Sequence, residues 1–149
     1  MGQVEKGTVL IVDDESTVRE SLRLLLGRSY EVDAAESGEN ALEHLEASTS
    51  NGSSSSEAAF PDLVLLDVMM PKMNGLEVLE KIKKDPDLKR IPVIMLTNLA
   101  GQQDIDRALE LGAVKYIVKS EYDPKQISDM VKEIISAHTR DDVPKTANV

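Results

Sequence analysis

The 149 residues carry 27 acidic against 17 basic side chains, a formal net charge of −10, so a DNA or RNA backbone is repelled on average and direct nucleic-acid binding is not expected. At 41% hydrophobic and 30% charged residues the chain has the make-up of one globular domain, and no apolar run approaches a membrane span. The absence of Cys removes disulfides, thiolate nucleophiles and Cys-ligated metals, which leaves carboxylates as the abundant metal donors; the start lacks a basic and apolar leader, so a cytoplasmic location is expected.

Residues 1–7 read as an N-terminal extension. Five short runs rich in β-branched residues then predict strands at Thr8 to Val12, Tyr30 to Ala35, Leu63 to Leu66, Ile91 to Leu96 and Val114 to Val118. Four are almost wholly apolar, as interior parallel strands are, whereas Glu31 and Asp33 mark the second as an edge. Between the strands, Val18, Leu22, Leu25 and Leu26 fall on one helical stripe and Ile127, Val131, Ile134 and Ile135 on another. Further helices are predicted over Glu39 to Ala47, Leu76 to Lys84 and Asp104 to Leu111, with Asp123 and Pro124 as cap and first residue of the last helix. The polar stretch 48–59 reads as a flexible Ser-rich loop and 139–149 as a flexible tail, which leaves one domain over 8–138. Alternating strands and helices predict an α/β fold, a doubly wound five-stranded parallel sheet with helices on both faces.

In such a sheet the functional groups gather beyond the carboxyl ends of the strands. Asp13 and Asp14 follow the first strand, Asp67 the third, Thr97 the fourth and Lys119 the fifth. Carboxylates placed together there repel by about 4 kcal/mol per pair at 4 Å and an effective dielectric near 20. Lys119 supplies one compensating charge, and an oxygen-coordinated Mg²⁺ supplies two more. Asp67 would then attack a phosphoryl group in line, with Lys119 and the Thr97 hydroxyl on its other oxygens. Each residue alone has a blander role: Asp14 or Ser16 as a cap of the first helix, Lys119 as a surface lysine, Thr97 as a strand-end hydroxyl. Their joint placement favours the chemical role. His44 and His138 lie on predicted helices without partners at ligand spacing and read as surface residues.

The stretches VLIVDDE (Val9 to Glu15), PDLVLLDVMMPKMNGLEVL (Pro61 to Leu79), IPVIMLT (Ile91 to Thr97) and LGAVKYIVK (Leu111 to Lys119) resemble the receiver domains of two-component response regulators, over Val9 to about Ala137. The resemblance implies a flavodoxin-like sheet of strand order 2-1-3-4-5. It implies Asp67 as the phosphoacceptor, with Asp14, Asp67 and the Met69 carbonyl binding Mg²⁺ or Mn²⁺ directly and Asp13 helping through water. Thr97 and Lys119 would hold the phosphoryl group, and Tyr116 occupies the family's switch position. A sensor histidine kinase or phosphotransfer protein is the implied donor and an output protein the implied receiver of the signal, with the domain a monomer or a phosphorylation-dependent dimer. Two departures stand out: Ser120 where the family usually has Pro, and Asn98 where it usually has a small residue. A cis bond before Ser costs about 3 kcal/mol, so a differently shaped loop is predicted after Lys119.

The expected activity is that of a stand-alone switch in phosphorelay signalling that takes up and loses its own phosphoryl group without turning over a substrate. A dehalogenase-type phosphatase would carry a second acid two residues after its nucleophile, where this chain has Met69. Ser120 and Asn98 lend some weight to a degenerate receiver used only for binding. Apolar Met69 and Leu99, at positions tied in this family to dephosphorylation, predict slow phosphate loss.

Overall fold

The computed structural model describes residues 7–50, 60–98 and 101–141. In chain order these form β1 (Gly7–Val12), α1 (Ser16–Leu26), β2 (Tyr30–Ala35), α2 (Gly38–Ser50), β3 (Leu63–Asp67), α3 (Gly75–Lys84), β4 (Val93–Thr97), α4 (Gln102–Glu110), β5 (Lys115–Val118) and α5 (Pro124–Asp141). All neighbouring strands are parallel, in the order β2-β1-β3-β4-β5, so the fold is the doubly wound, flavodoxin-like sheet that the sequence predicts.

The period of two along a strand divides the core cleanly. Val9 and Ile11, Leu63 and Leu65, Ile94 and Leu96, and Ile117 pack against Leu22 and Leu26 of α1 and Ile127, Val131 and Ile135 of α5. The residues between them (Leu10 and Val12, Val64 and Leu66, Val93 and Met95) pack on the other face, against Ala41 and Leu45 of α2, Val78, Leu79 and Ile82 of α3, and Ala108 of α4. Fully burying each such side chain is worth about 1.5–3 kcal/mol, and both apolar layers hold the strand ends in fixed register. α3 and α5 begin in capping boxes: Asn74 with Glu77, and Asp123 with Gln126, the second as predicted for the helix starting at Pro124.

Some boundaries depart from the sequence reading. β5 is not interior: it forms the edge opposite β2, only Ile117 in it is buried, and its alternation of Lys115, Tyr116, Ile117 and Val118 is that of a half-covered strand. Asp67 and Thr97 are the last residues of β3 and β4 and do not follow them, while Ile91 and Pro92 precede β4. β1 starts at Gly7, α2 runs on to Ser50 and α5 to Asp141, since Ser and Thr are only mildly unfavourable in a helix and the first Pro after α5 begins is Pro144. Residues 1–6, most of the Ser-rich stretch (51–59), Leu99 and 142–149 lie outside the described residues. After Lys119 the chain makes a 3₁₀ turn over Lys119–Glu121, and no peptide bond among the described residues is cis, consistent with Ser120 in place of Pro.

Candidate functional site

The sheet register places the predicted groups on one rim. Val12 pairs with Leu66 and Asp67 with Leu96, so Asp13 comes level with Asp67, and Thr97 stands one step beyond. Thr97 in turn pairs with Val118, which brings Lys119 to the same edge. Oxygens of Asp13, Asp14 and Asp67 lie within 4.8 Å of one another. Asp13 and Asp67 are buried, whereas Asp14 faces water.

The Lys119 ammonium sits among them, 2.7 Å from Asp13 Oδ2, 3.2 Å from Glu15 Oε1 and 3.6 Å from Asp67 Oδ2. Burial works to lower the lysine's pKa, but Asp13, Asp67 and Glu15 together hold it above its ordinary value. Asp67 is the strained member: burial first, then the charge of Asp13 and, least, of Asp14 drive its pKa up to about 7, although Lys119 and the Met69 N–H, 3.1 Å from Oδ1, pull against them.

The surplus of negative charge has a direct structural sign. Asp13 Oδ2 is buried and, although close to Lys119, receives no hydrogen bond of good geometry. Asp13 Oδ1 is engaged by the Glu15 N–H at 2.9 Å. Three oxygen donors, two of them buried, with one under-satisfied and one carboxyl pushed towards its neutral form, suit a hard divalent cation that prefers carboxylate, carbonyl and water ligands.

The structure also decides the blander alternatives. Glu15 occupies the N-cap position of α1 and its side chain makes no capping bond; neither Asp14 nor Ser16 is that cap. Lys119 is only 9% exposed in its side chain and Thr97 is fully buried. Tyr116 lies on the face shared with α4, partly buried against that core layer. Its hydroxyl is buried without a partner in hydrogen-bond geometry. Burial and then Asp104 raise the Tyr116 pKa, while the nearby Thr97 hydroxyl opposes them. His44 pairs with Asp33 at 3.3 Å and His138 contacts the Ile134 carbonyl, both away from the acids.

Four residues that support the site escape a reading for chemistry. Arg19 of α1 donates to the Asp13 carbonyl at 2.7 Å and pins the end of β1. Asn74 and Glu77 fix the start of α3, a pairing legible as an Asn-x-x-Glu capping signature. Gly75 donates its N–H to the Val68 carbonyl at 2.9 Å, and a Cβ there would fall on the Asp67 carbonyl oxygen and within 2.9 Å of Val68 Cα. Backbone on both sides cannot yield easily. Gly75→Ala is therefore expected to destabilise the fold by about 1–3 kcal/mol, the range for overpacking, and to displace Asp67. Denaturant melts check the first effect; a stability equal to wild type would remove the argument.

The chain matches the response regulator receiver domain family over residues 9–132. A probable transcriptional regulator, ycf27 of Guillardia theta, is 39% identical over 87% of this chain and 46% of its own length, so the chain spans about half the length of such relatives. The charge of one domain does not decide whether a regulator twice as long meets DNA. Among solved structures, the phosphorylated cyanobacterial phytochrome response regulator RcpA is 33% identical, covering 87% of this chain and 91% of its own, with a TM-score of 0.72. The Mn²⁺-bound response regulator Rcp1 is also 33% identical, over 87% of this chain and 92% of its own, at a TM-score of 0.70. A match that runs from Val9 into the last helix, on the very sheet that gathers these acids, makes the chain a member of the response regulator receiver family.

Proposed function

We propose that this receiver takes a phosphoryl group onto Asp67 in a divalent-cation-dependent reaction and uses the resulting acyl phosphate to switch partner binding. The observation that carries the reading is the strand-end cluster: three carboxylates within 4.8 Å of one another beside a nearly buried ammonium. A phosphorylated and a Mn²⁺-bound receiver among its structural neighbours support it. Asp13, Asp14 and Asp67, with the Met69 carbonyl, are the residues that would hold the cation, Mg²⁺ being the expected one. When bound it would neutralise charge on the transferring group.

In the reaction, an Asp67 carboxylate oxygen attacks phosphorus and forms the new O–P bond as the bond to the donor breaks, and the donor leaves with that electron pair. The Lys119 ammonium pairs with one phosphoryl oxygen and the Thr97 hydroxyl donates to another. Drawing Thr97 towards the phosphate alters its contact with Tyr116, which would carry the change to the face formed by β5, α4 and α5. A histidine kinase or phosphotransfer protein is the donor class. All these side chains come from one domain, which supports phosphoryl uptake by the receiver itself. Met69, whose N–H meets Asp67 Oδ1, is apolar and 51% exposed, in keeping with slow phosphate loss.

Incubation with acetyl phosphate and Mg²⁺, followed by intact-mass and peptide analysis, is expected to give one phosphoryl group per chain on Asp67, lost on treatment with EDTA before the donor and absent from Asp67→Asn. A protein that stays unmodified under these conditions and with candidate kinases would overturn the reading. Turnover of simple phosphate esters beyond one equivalent would instead identify a phosphatase.

A further inference from the structure

Glu15 has no part in the phosphoryl transfer itself, yet it reaches the central cation of the site. Its backbone is committed to the start of α1, with its N–H on Asp13 Oδ1 at 2.9 Å and its carbonyl accepting the Arg19 N–H at 3.2 Å. At the N-cap position a short Asp or Ser side chain turns inward onto the free N–H groups of the first turn; that of Glu15, one methylene longer than Asp, makes no such bond. It extends instead to Lys119, 104 residues away in sequence, at 3.2 Å.

An ammonium has three N–H donors, and three carboxylates surround this one. Two of them are fixed, since the Asp13 and Asp67 side chains are 0% and 3% exposed, whereas that of Glu15 is 45% exposed. A phosphoryl oxygen arriving on Asp67 needs a share of Lys119, and Glu15 is the one partner with water to swing into.

We propose that Glu15 is a positioning residue that restrains Lys119 at the mouth of the acid pocket until a phosphoryl group displaces its carboxylate. The inference deepens the reading of Asp67 as phosphoacceptor and rests on it. Glu15 then acts as a brake: it competes with the incoming phosphoryl oxygen for the same ammonium, and the competition ends when its side chain rotates out to solvent.

Two variants separate contact from charge. Glu15→Gln keeps the length and removes the charge; Glu15→Asp keeps the charge and shortens the reach by one methylene. Labelling of Asp67 by acetyl phosphate at saturating Mg²⁺, with the apparent affinity for beryllofluoride read from the thermal shift, is expected to rise about two- to fivefold in both variants. That range corresponds to the worth of an ion pair with one solvent-exposed partner. Glu15→Asp also supplies a preferred N-cap, so its melting point without ligand should not fall below that of wild type, which excludes misfolding as the cause. Unchanged or slower labelling in both variants overturns the brake. A rise in Glu15→Gln with wild-type behaviour in Glu15→Asp also overturns it, assigning the effect to the general field of one charge. If the wild-type protein itself takes up no label, it is the phosphoacceptor reading that falls, a result distinguishable from both.

Discussion

Replacing Asp67 with Asn is expected to stabilise the metal-free protein by about 2–4 kcal/mol at pH 8 and hardly at all near pH 4. The sign follows from linkage. Unfolded, the Asp67 carboxyl loses its proton near 3.8; folded, burial and then Asp13 hold the proton until about pH 7. Folding therefore favours the protonated form. The fold loses stability as pH rises between these two values, and above them the loss is complete. At about 1.4 kcal/mol for each pH unit between them the upper figure is about 4 kcal/mol; water at the open rim screens part of it and sets the lower one. Asn resembles the neutral acid in size and can still accept from the Met69 N–H, so the variant escapes the loss while keeping the low-pH contacts. Saturating Mg²⁺ should shrink the gain, because a cation that binds only the folded state favours the charged carboxylate. Urea melts at pH 5 and pH 8, in EDTA and in Mg²⁺, measure all four corners, and equal stabilisation at both pH values would rule out the raised Asp67 pKa as its origin.

The same physics explains how much of the molecule is legible in the sequence. β1, β3 and β4 are legible because strands covered on both faces must be apolar throughout, and their carboxyl ends share a rim by topology alone. Asp13, Asp14, Asp67, Thr97 and Lys119 are brought together by that topology without any knowledge of side-chain packing. β5 reads as interior because Val114 to Val118 has only one polar residue, Lys115, and an edge strand with a single polar residue looks like a core strand in one dimension. The distribution of charge inside the site is also hidden. A repulsion argument treats the three acids alike, whereas the structure gives Lys119 most closely to Asp13 and leaves Asp67 with the raised pKa. Glu15 and Arg19 escape notice for the same reason: their partners depend on how α1 leaves β1 and on which side chains from distant segments meet there. Gly75 escapes it because a tight approach between the start of α3 and the end of β3 leaves no trace in hydrophobic pattern.

The second large effect is expected at Lys119. In Lys119→Met the stem length and apolar packing are kept, but Asp13 is left fully buried, with its Oδ2 losing the only cation within reach among the described residues. Removing one partner of a buried ion pair destabilises by about 3–5 kcal/mol, since the remaining charge stays out of water. The cost has a pH signature that sets it apart from a packing defect. At pH 5 Asp67 holds its proton with or without Lys119 and only one uncompensated charge is left, whereas at pH 8 two buried carboxylates face each other, so the deficit of Lys119→Met against wild type should be markedly larger at pH 8 than at pH 5. Adding Asp13→Asn to Lys119→Met removes the uncompensated charge directly and should restore most of the lost stability at pH 8, a coupling that two independent substitutions would not show. Phosphoryl uptake should stay impaired in the restored double variant, because the ammonium that meets the phosphoryl oxygen is still missing. Recovery of both stability and uptake would mean that Lys119 serves the fold alone and that the acids need only charge balance to react.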